Sequence, residues 1–185
     1  MKLLKNPVIA VLLAVIIVFS STFLSARIKL EKASDKITDG FYQGVVYNGY
    51  KRKSISSQLK NYSGAVSGLV SIANNYGIAT EEASALNGEL LSSLSEAQSD
   101  ISSIYRYYSS LDTAVSALER ELSDAELNER DAEGVKQYTG TIDGANSVIA
   151  ESGYNESVYK YTSGRGALEK FFVTLTGTQL PEVFG

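Results

Sequence analysis

Between residues 55 and 76 the apolar positions recur in alternating steps of four and three: Ile55, Leu59, Tyr62, Val66, Leu69, Ala73 and Tyr76. That is the seven-residue spacing of one helical seam. Asn74-Asn75-Tyr76-Gly77 closes it, with Gly77 suited to the left-handed position that follows a helix. Thr80, ahead of Glu82 and Ala83, then reads as the N-cap of a second helix with acids in its first turn. The second seam runs through Ala83, Leu86, Leu90, Ala97, Ile101, Ile104, Tyr108, Leu111, Val115, Leu118, Leu122 and Ala125. Only Ser93 interrupts it, and Leu94 beside it can substitute. Unbroken, this pattern predicts a single helix of over forty residues, about 60 Å long. A stripe of that length needs partner helices to keep it dry.

The segment 123–134 is charged and loses the phase, which predicts a turn, or a helix with a register shift ending at Gly134. A further helix follows through Val135, Tyr138, Ile142, Ala145 and Ile149 and on to Val158 and Tyr161, with a kink at Ser152-Gly153. Ahead of the first seam, Leu30, Ala33, Ile37, Phe41 and Val45 are also helically spaced. Gly40, Gly44 and Gly49 weaken that stretch by about 1 kcal/mol each relative to alanine. The pairs Gly40/Gly44, Gly64/Gly68 and Gly140/Gly144 predict close backbone approach between helices. The expected fold is all-α: an N-terminal transmembrane helix feeding an elongated antiparallel helical bundle.

The amino-terminal apolar run sets the compartment. Val8 to Leu24 holds twelve Val, Ile, Leu or Phe residues and no charge, just after Lys2 and Lys5. On an insertion scale this favours the bilayer by about 4–7 kcal/mol. Seventeen residues cover about 25 Å, the short end of a spanning helix, and Ser25 and Ala26 extend it. Val8, Leu12, Ile16, Phe19 and Leu24 are the expected lipid-facing anchor residues. A cleaved signal peptide has the same basic start and apolar core, although cleavage after Ala26 would put Leu24 where a small residue is preferred. The predicted organisation is an anchor at 1–26, a helical domain at 27–163 and an apolar tail at 164–185. Arg27, Lys29, Lys32 and Lys36 beyond the run argue for a cytoplasmic domain. The short basic tail before it argues for an exported one, which is the reading taken here.

Charge divides the rest of the chain. From Arg27 to Lys60 there are eight basic and three acidic residues; from Asn61 onward there are seven basic and eighteen acidic. The basic neck suits anionic headgroups or a solvated surface, and the acidic remainder argues against nucleic acid. With no cysteine or histidine in the chain, thiol nucleophiles, imidazole bases and the usual zinc ligand sets are excluded. The carboxylates from Glu119 to Glu133 lack the spacing and central glycine of a calcium loop. The serines have neither a Gly-x-Ser-x-Gly elbow nor a Ser-x-x-Lys pair. No catalytic residue, cofactor or metal is expected. Tyrosine supplies twelve of the eighteen aromatic residues, and Tyr105, Tyr107 and Tyr108 cannot all face one core. Tyr108 belongs to the seam, which leaves Tyr105, Arg106 and Tyr107 as a candidate interaction patch. The tail crowds Phe171, Phe172, Val173, Leu175, Leu180, Val183 and Phe184 around Pro181, so it is expected to pack on the bundle, with contact to the membrane as the alternative.

Tyr154-Asn155-Glu156-Ser157-Val158-Tyr159-Lys160-Tyr161, followed by Phe171-Phe172 and Pro181-Glu182-Val183-Phe184-Gly185, resembles the carboxy-terminal signature of the LemA family. There a Tyr-Asn-x-x-Val-x-x-Tyr helix precedes an apolar tail with a proline and a Phe-Gly. Tyr154, Asn155, Val158, Tyr161, Pro181 and Phe184 carry the resemblance. The order of a short anchor and then long helices is similar as well. Ser54 to Ala73 departs from the family, lacking its arginine-rich stretch and the proline of Leu-Ile-Pro-Asn-Leu-Val. The resemblance implies a membrane-held antiparallel helical bundle without an assigned catalytic residue. It also implies a role beside membrane proteases or other envelope proteins of bacteria.

The expected function is therefore a non-catalytic, membrane-anchored scaffold or interaction protein. Its partners would be the bilayer and another membrane or envelope protein, with self-association open. A ligand-sensing bundle with a polar pocket near Tyr105–Tyr108, and a membrane-surface remodelling protein using the tail and basic neck, are the alternatives.

Overall fold

The structure, a computed structural model, describes residues 7–47, 49–95 and 100–185 and is predominantly helical. Lys2, Lys5 and Ala97 of the sequence reading lie outside the described residues. Helix α1 (Pro7–Gln43) leads into a two-residue hairpin, β1 (Val46–Tyr47) and β2 (Tyr50–Lys51), paired antiparallel with Val46 opposite Lys51. Then follow α2 (Ile55–Asn75), α3 (Glu81–Ser95), α4 (Ile101–Asp124), α5 (Glu129–Ala150), α6 (Tyr154–Ser163) and α7 (Ala167–Thr176).

Helix α1 runs without a break from the apolar stretch into the domain, so the expected boundary at residue 26 falls inside a single helix. It is long and apolar enough to cross a membrane, as a membrane anchor or a signal sequence is. From Leu30 onward one face turns inward: Leu30, Ala33 and Ile37 are half-buried and Phe41 is fully buried. The helix stops short of Val45, and a hairpin that the apolar pattern did not predict takes its place. Arg52 N donates to Val45 O at 2.8 Å, closing that small ladder.

The first seam forms as predicted. Ile55, Leu59, Tyr62, Val66, Leu69 and Ala73 are all buried on α2, and Ser54 caps it by accepting from Ser57 N at 3.1 Å. Gly77, at φ 69°, occupies the left-handed region after its end. Thr80 does not present its hydroxyl to the next helix. That group donates to Asn74 Oδ1 at 2.8 Å, tying the α2–α3 turn to the end of α2.

The predicted forty-residue helix is two helices, α3 and α4, which pack against one another. Asp100 explains the second start: its carboxylate accepts from Ser102 N at 3.1 Å and from Ser103 Oγ at 3.1 Å. Short polar side chains that satisfy the backbone compete with helix continuation. The seam keeps its phase across the break because Leu90, Leu94, Ile101 and Ile104 all enter one core. Ala125, read as the last seam residue, is already extended at the C-cap of α4.

The charged segment contains a turn at 125–128. Asn128 caps α5 by accepting from Asp131 N at 2.9 Å, and α5 continues straight through Gly134. Helix α2 packs most extensively against α5. Tyr76 Oη donates to Asp131 Oδ2 at 2.8 Å and accepts from Asn128 N at 3.0 Å and Nδ2 at 2.8 Å. A Cβ on Gly134 would touch Ile72 Cδ1 at 3.0 Å, and one on Gly68 would enter the Tyr138 ring. The pairs 76/131, 72/134 and 68/138 record one register along these helices. The other predicted close approaches divide. Gly40 faces the Val45 side chain and Gly44 the Arg52 carbonyl, both where α1 meets the hairpin and not between two helices, whereas Gly64, Gly140 and Gly144 have open space.

The expected kink at Ser152-Gly153 is a full break that starts α6 at Tyr154. The tail holds α7 and then an extended end in which Pro181 and Phe184 are buried.

Candidate functional site

Five of the six motif residues meet where the chain's end returns to α1, α4 and α6. Tyr154 Oη donates to Glu182 O at 2.8 Å. Asn155 holds the backbone of Phe184 from both sides, donating from Nδ2 to its carbonyl at 2.9 Å and accepting its N–H on Oδ1 at 2.8 Å. This two-point clamp satisfies a stretch of backbone that belongs to no helix or strand. Val158 is buried on the same face of α6, one turn from Tyr154, and Pro181 is buried beside the clamp.

The clamp seats the Phe184 ring in an aromatic hub. Its centroid lies 5.5 Å from Phe41, 5.2 Å from Tyr105 and 5.6 Å from Tyr108. Phe41 also meets Tyr154 edge-on at 5.7 Å, and Tyr108 meets Tyr62 edge-on at 5.4 Å. Rings at such spacings add about 0.5–1.5 kcal/mol per pair beyond the area they bury. A polar chain extends from the hub. Tyr62 Oη donates to Asp112 Oδ1 at 3.0 Å, Asn146 Nδ2 donates to the same oxygen at 3.2 Å, and Tyr108 Oη donates to Asn146 Oδ1 at 2.8 Å. Burial first, then the Asp112 charge, pushes Tyr62 well above the ordinary tyrosine range, and the same causes push Tyr108 up to about 12. Both hydroxyls stay protonated at neutral pH and act as donors, not as bases.

Glu182 reaches from the tail to the start of α4. Its Oε2 accepts from Ser102 N at 3.2 Å and from Ser102 Oγ at 3.1 Å. A hydrogen bond between the two carboxyls holds Asp100 below the usual range and Glu182 above it. The two acids thus differ in proton affinity at the positive end of a helix, Glu182 holding a proton more firmly than Asp100.

The candidate patch divides, with Tyr105 turned to the hub and Arg106 beside Tyr107. Tyr105 is half-buried, edge-on to Phe184; Arg106 is exposed, with its guanidinium 5.4 Å from the ring of half-buried Tyr107. The sixth motif residue, Tyr161, sits apart from the hub and donates to Leu30 O of α1 at 3.1 Å. Val8, Leu12, Ile16, Phe19 and Leu24 are 55–65% exposed along α1. Among the described residues no group of three or more acidic side chains is arranged to hold a metal ion.

Two features escaped the sequence reading. One is Phe41, whose ring is the α1 side of the hub; its place in a helical pattern was visible, its aromatic neighbours were not. The other is Arg165, buried between α6 and α7, which looked like one more charge in the sequence.

The chemistry of the hub is that of attachment: donors, acceptors and rings already satisfied by one another. No family model matches the chain, no curated protein is similar to it, and no solved structure matches it.

Proposed function

We propose that this chain is a membrane-anchored, non-catalytic scaffold of the LemA type: an antiparallel helical bundle held outside the cytoplasm by α1. The observation that carries the reading is the continuity of α1. Its exposed apolar length and the buried Phe41 belong to one helix. Phe41 lies seventeen residues beyond Leu24, about 25 Å along the axis, and the hub grips the helix there. A bundle fixed in this way presents its acidic far end, around Asp124 and Glu129, at a set height above the bilayer.

The tail supports the same reading. Leu168, Phe171 and Leu175 form an exposed apolar face on α7, and α7 packs on α1 just past the apolar stretch. An apolar helix face at that height lies in the membrane interface, as amphipathic in-plane helices do. The sensing alternative gains nothing from the hub, because Tyr105 and Tyr108 are already engaged by Phe184 and Asn146.

A pull-down of the full chain in mild detergent tests the scaffold. It expects a membrane or envelope protein recovered in a fixed ratio to the chain. Recovery of the chain alone would contradict it.

A further inference from the structure

Arg165 is 8% exposed, and none of its three side-chain nitrogens has a hydrogen-bond partner among the described residues. A guanidinium stays charged at any physiological pH, so burying one unpaired is costly. One compensation is present: its carbon lies 4.0 Å from the centroid of the Tyr161 ring, which is itself pinned to α1 through Leu30 O. Arg165 lines a cleft of about 340 Å³ together with Lys29, Lys160, Tyr161 and Glu169. Three cations therefore converge against one carboxylate, and Arg165 makes no ion pair with Glu169. The net charge of the lining is positive.

We infer that this cleft binds a phosphate group, and that its source is the headgroup of an anionic phospholipid. The source follows from height, and in this it rests on the membrane-anchored reading of α1. Lys29 lies five residues beyond Leu24, about 7 Å along the helix, which is the depth of the headgroup layer on one side of a bilayer. The apolar face of α7 begins at Leu168, three residues after Arg165, so acyl chains have a surface to follow. The guanidinium nitrogens are covered from water; seating a phosphate turns Arg165 from the Tyr161 ring toward the two lysines. A planar donor fork then meets phosphate oxygens in two-point fashion, and the lysines supply charge.

The test uses the full chain in uncharged detergent micelles, doped in turn with phosphatidylglycerol, with phosphatidylcholine, or supplied with inorganic phosphate. Native mass spectrometry reads the retained lipid and thermal unfolding reads protection. The expected result is one retained phosphatidylglycerol, at least tenfold preferred over phosphatidylcholine. Arg165→Gln should lose that preference, while the distant Lys136→Gln keeps it. Because Arg165 is unpaired, the lipid-free Arg165→Gln chain should melt no lower than the parent, which separates lost binding from lost folding. Protection by inorganic phosphate equal to that by phosphatidylglycerol would overturn the lipid source. Retention of phosphatidylglycerol by Arg165→Gln equal to the parent's, or no preferential retention by the parent, would overturn the site. Alkaline carbonate washing of chain-bearing vesicles reports the anchor separately. A chain that stays in the vesicles but shows no lipid preference overturns this site alone, and a chain that washes off overturns the anchored reading on which the lipid assignment rests.

Discussion

Phe184 and Phe171 stand thirteen residues apart in one apolar tail, yet the first is 5% exposed and the second 56%. Hydrophobicity does not separate them. Phe184 is held because Asn155 and Tyr154 satisfy the backbone around it, which allows an extended segment to enter an aromatic cluster. Phe171 sits on a helix whose backbone is satisfied internally, so α7 can rest on α1 by one face and leave the other open. An apolar residue is buried where its backbone has partners and a complementary surface is waiting. Otherwise it marks a surface that something else covers.

The sharpest way to break this contrast is Phe184→Ala, which should cost about 3–5 kcal/mol in chemical denaturation. A cost below about 1 kcal/mol would mean that the hub does not hold the tail. Gly68→Ala comes next: its new Cβ enters the Tyr138 ring, and overpacking of this kind costs about 1–3 kcal/mol. The matching change Gly64→Ala meets open space and should instead gain up to about 1 kcal/mol of helix propensity. If both glycines respond alike in thermal unfolding, the α2–α5 register is wrong.

Glu119→Gln addresses a buried group left without a full set of partners. Glu119 Oε1 is buried and unbonded; burial, with Asp143 and Asp112 nearby, raises its carboxyl above the ordinary range against a hydrogen bond from Thr139. The folded chain thus holds that proton more firmly than the unfolded chain. The contribution is fully present below the ordinary carboxylate value and is lost as pH rises through the folded one. Glutamine should therefore make the chain more stable than the parent at neutral pH, and the gain should vanish in acid. A gain that is flat with pH would rule out the charge as its cause. The smallest effect belongs to Phe171→Ala, within about 0.5 kcal/mol of the parent in detergent. A large loss there would show that α7 packs through the face assigned to the membrane.

The seams were legible because heptad spacing reports burial directly: Leu59, Val66, Leu111, Val115 and Leu122 are all buried. The α3–α4 break was not, since its apolar phase survives the interruption and only the Asp100 cap betrays it. The hairpin at 46–51 is too short for any period to register. Within the hub, Tyr154, Asn155 and Phe184 were visible as a motif, but their contacts with the tail join positions 28 and 29 residues apart. No local pattern encodes such a pairing. Arg165 was illegible for a related reason. A cation between two glycines reads as surface, and its burial depends on where α6 and α7 close over α1.

The central claim is a bundle held outside the cytoplasm by an uncleaved α1, and a single cysteine tests it directly. The chain has none of its own, and Ser123 is exposed at the end of α4. Cells expressing the full chain with Ser123→Cys would be treated intact with a membrane-impermeant maleimide, with a lysed sample alongside, and then fractionated through an alkaline carbonate wash. The account predicts label in intact cells on a chain that stays with the membranes. Label only after lysis, or a labelled chain released to the soluble fraction, would contradict it.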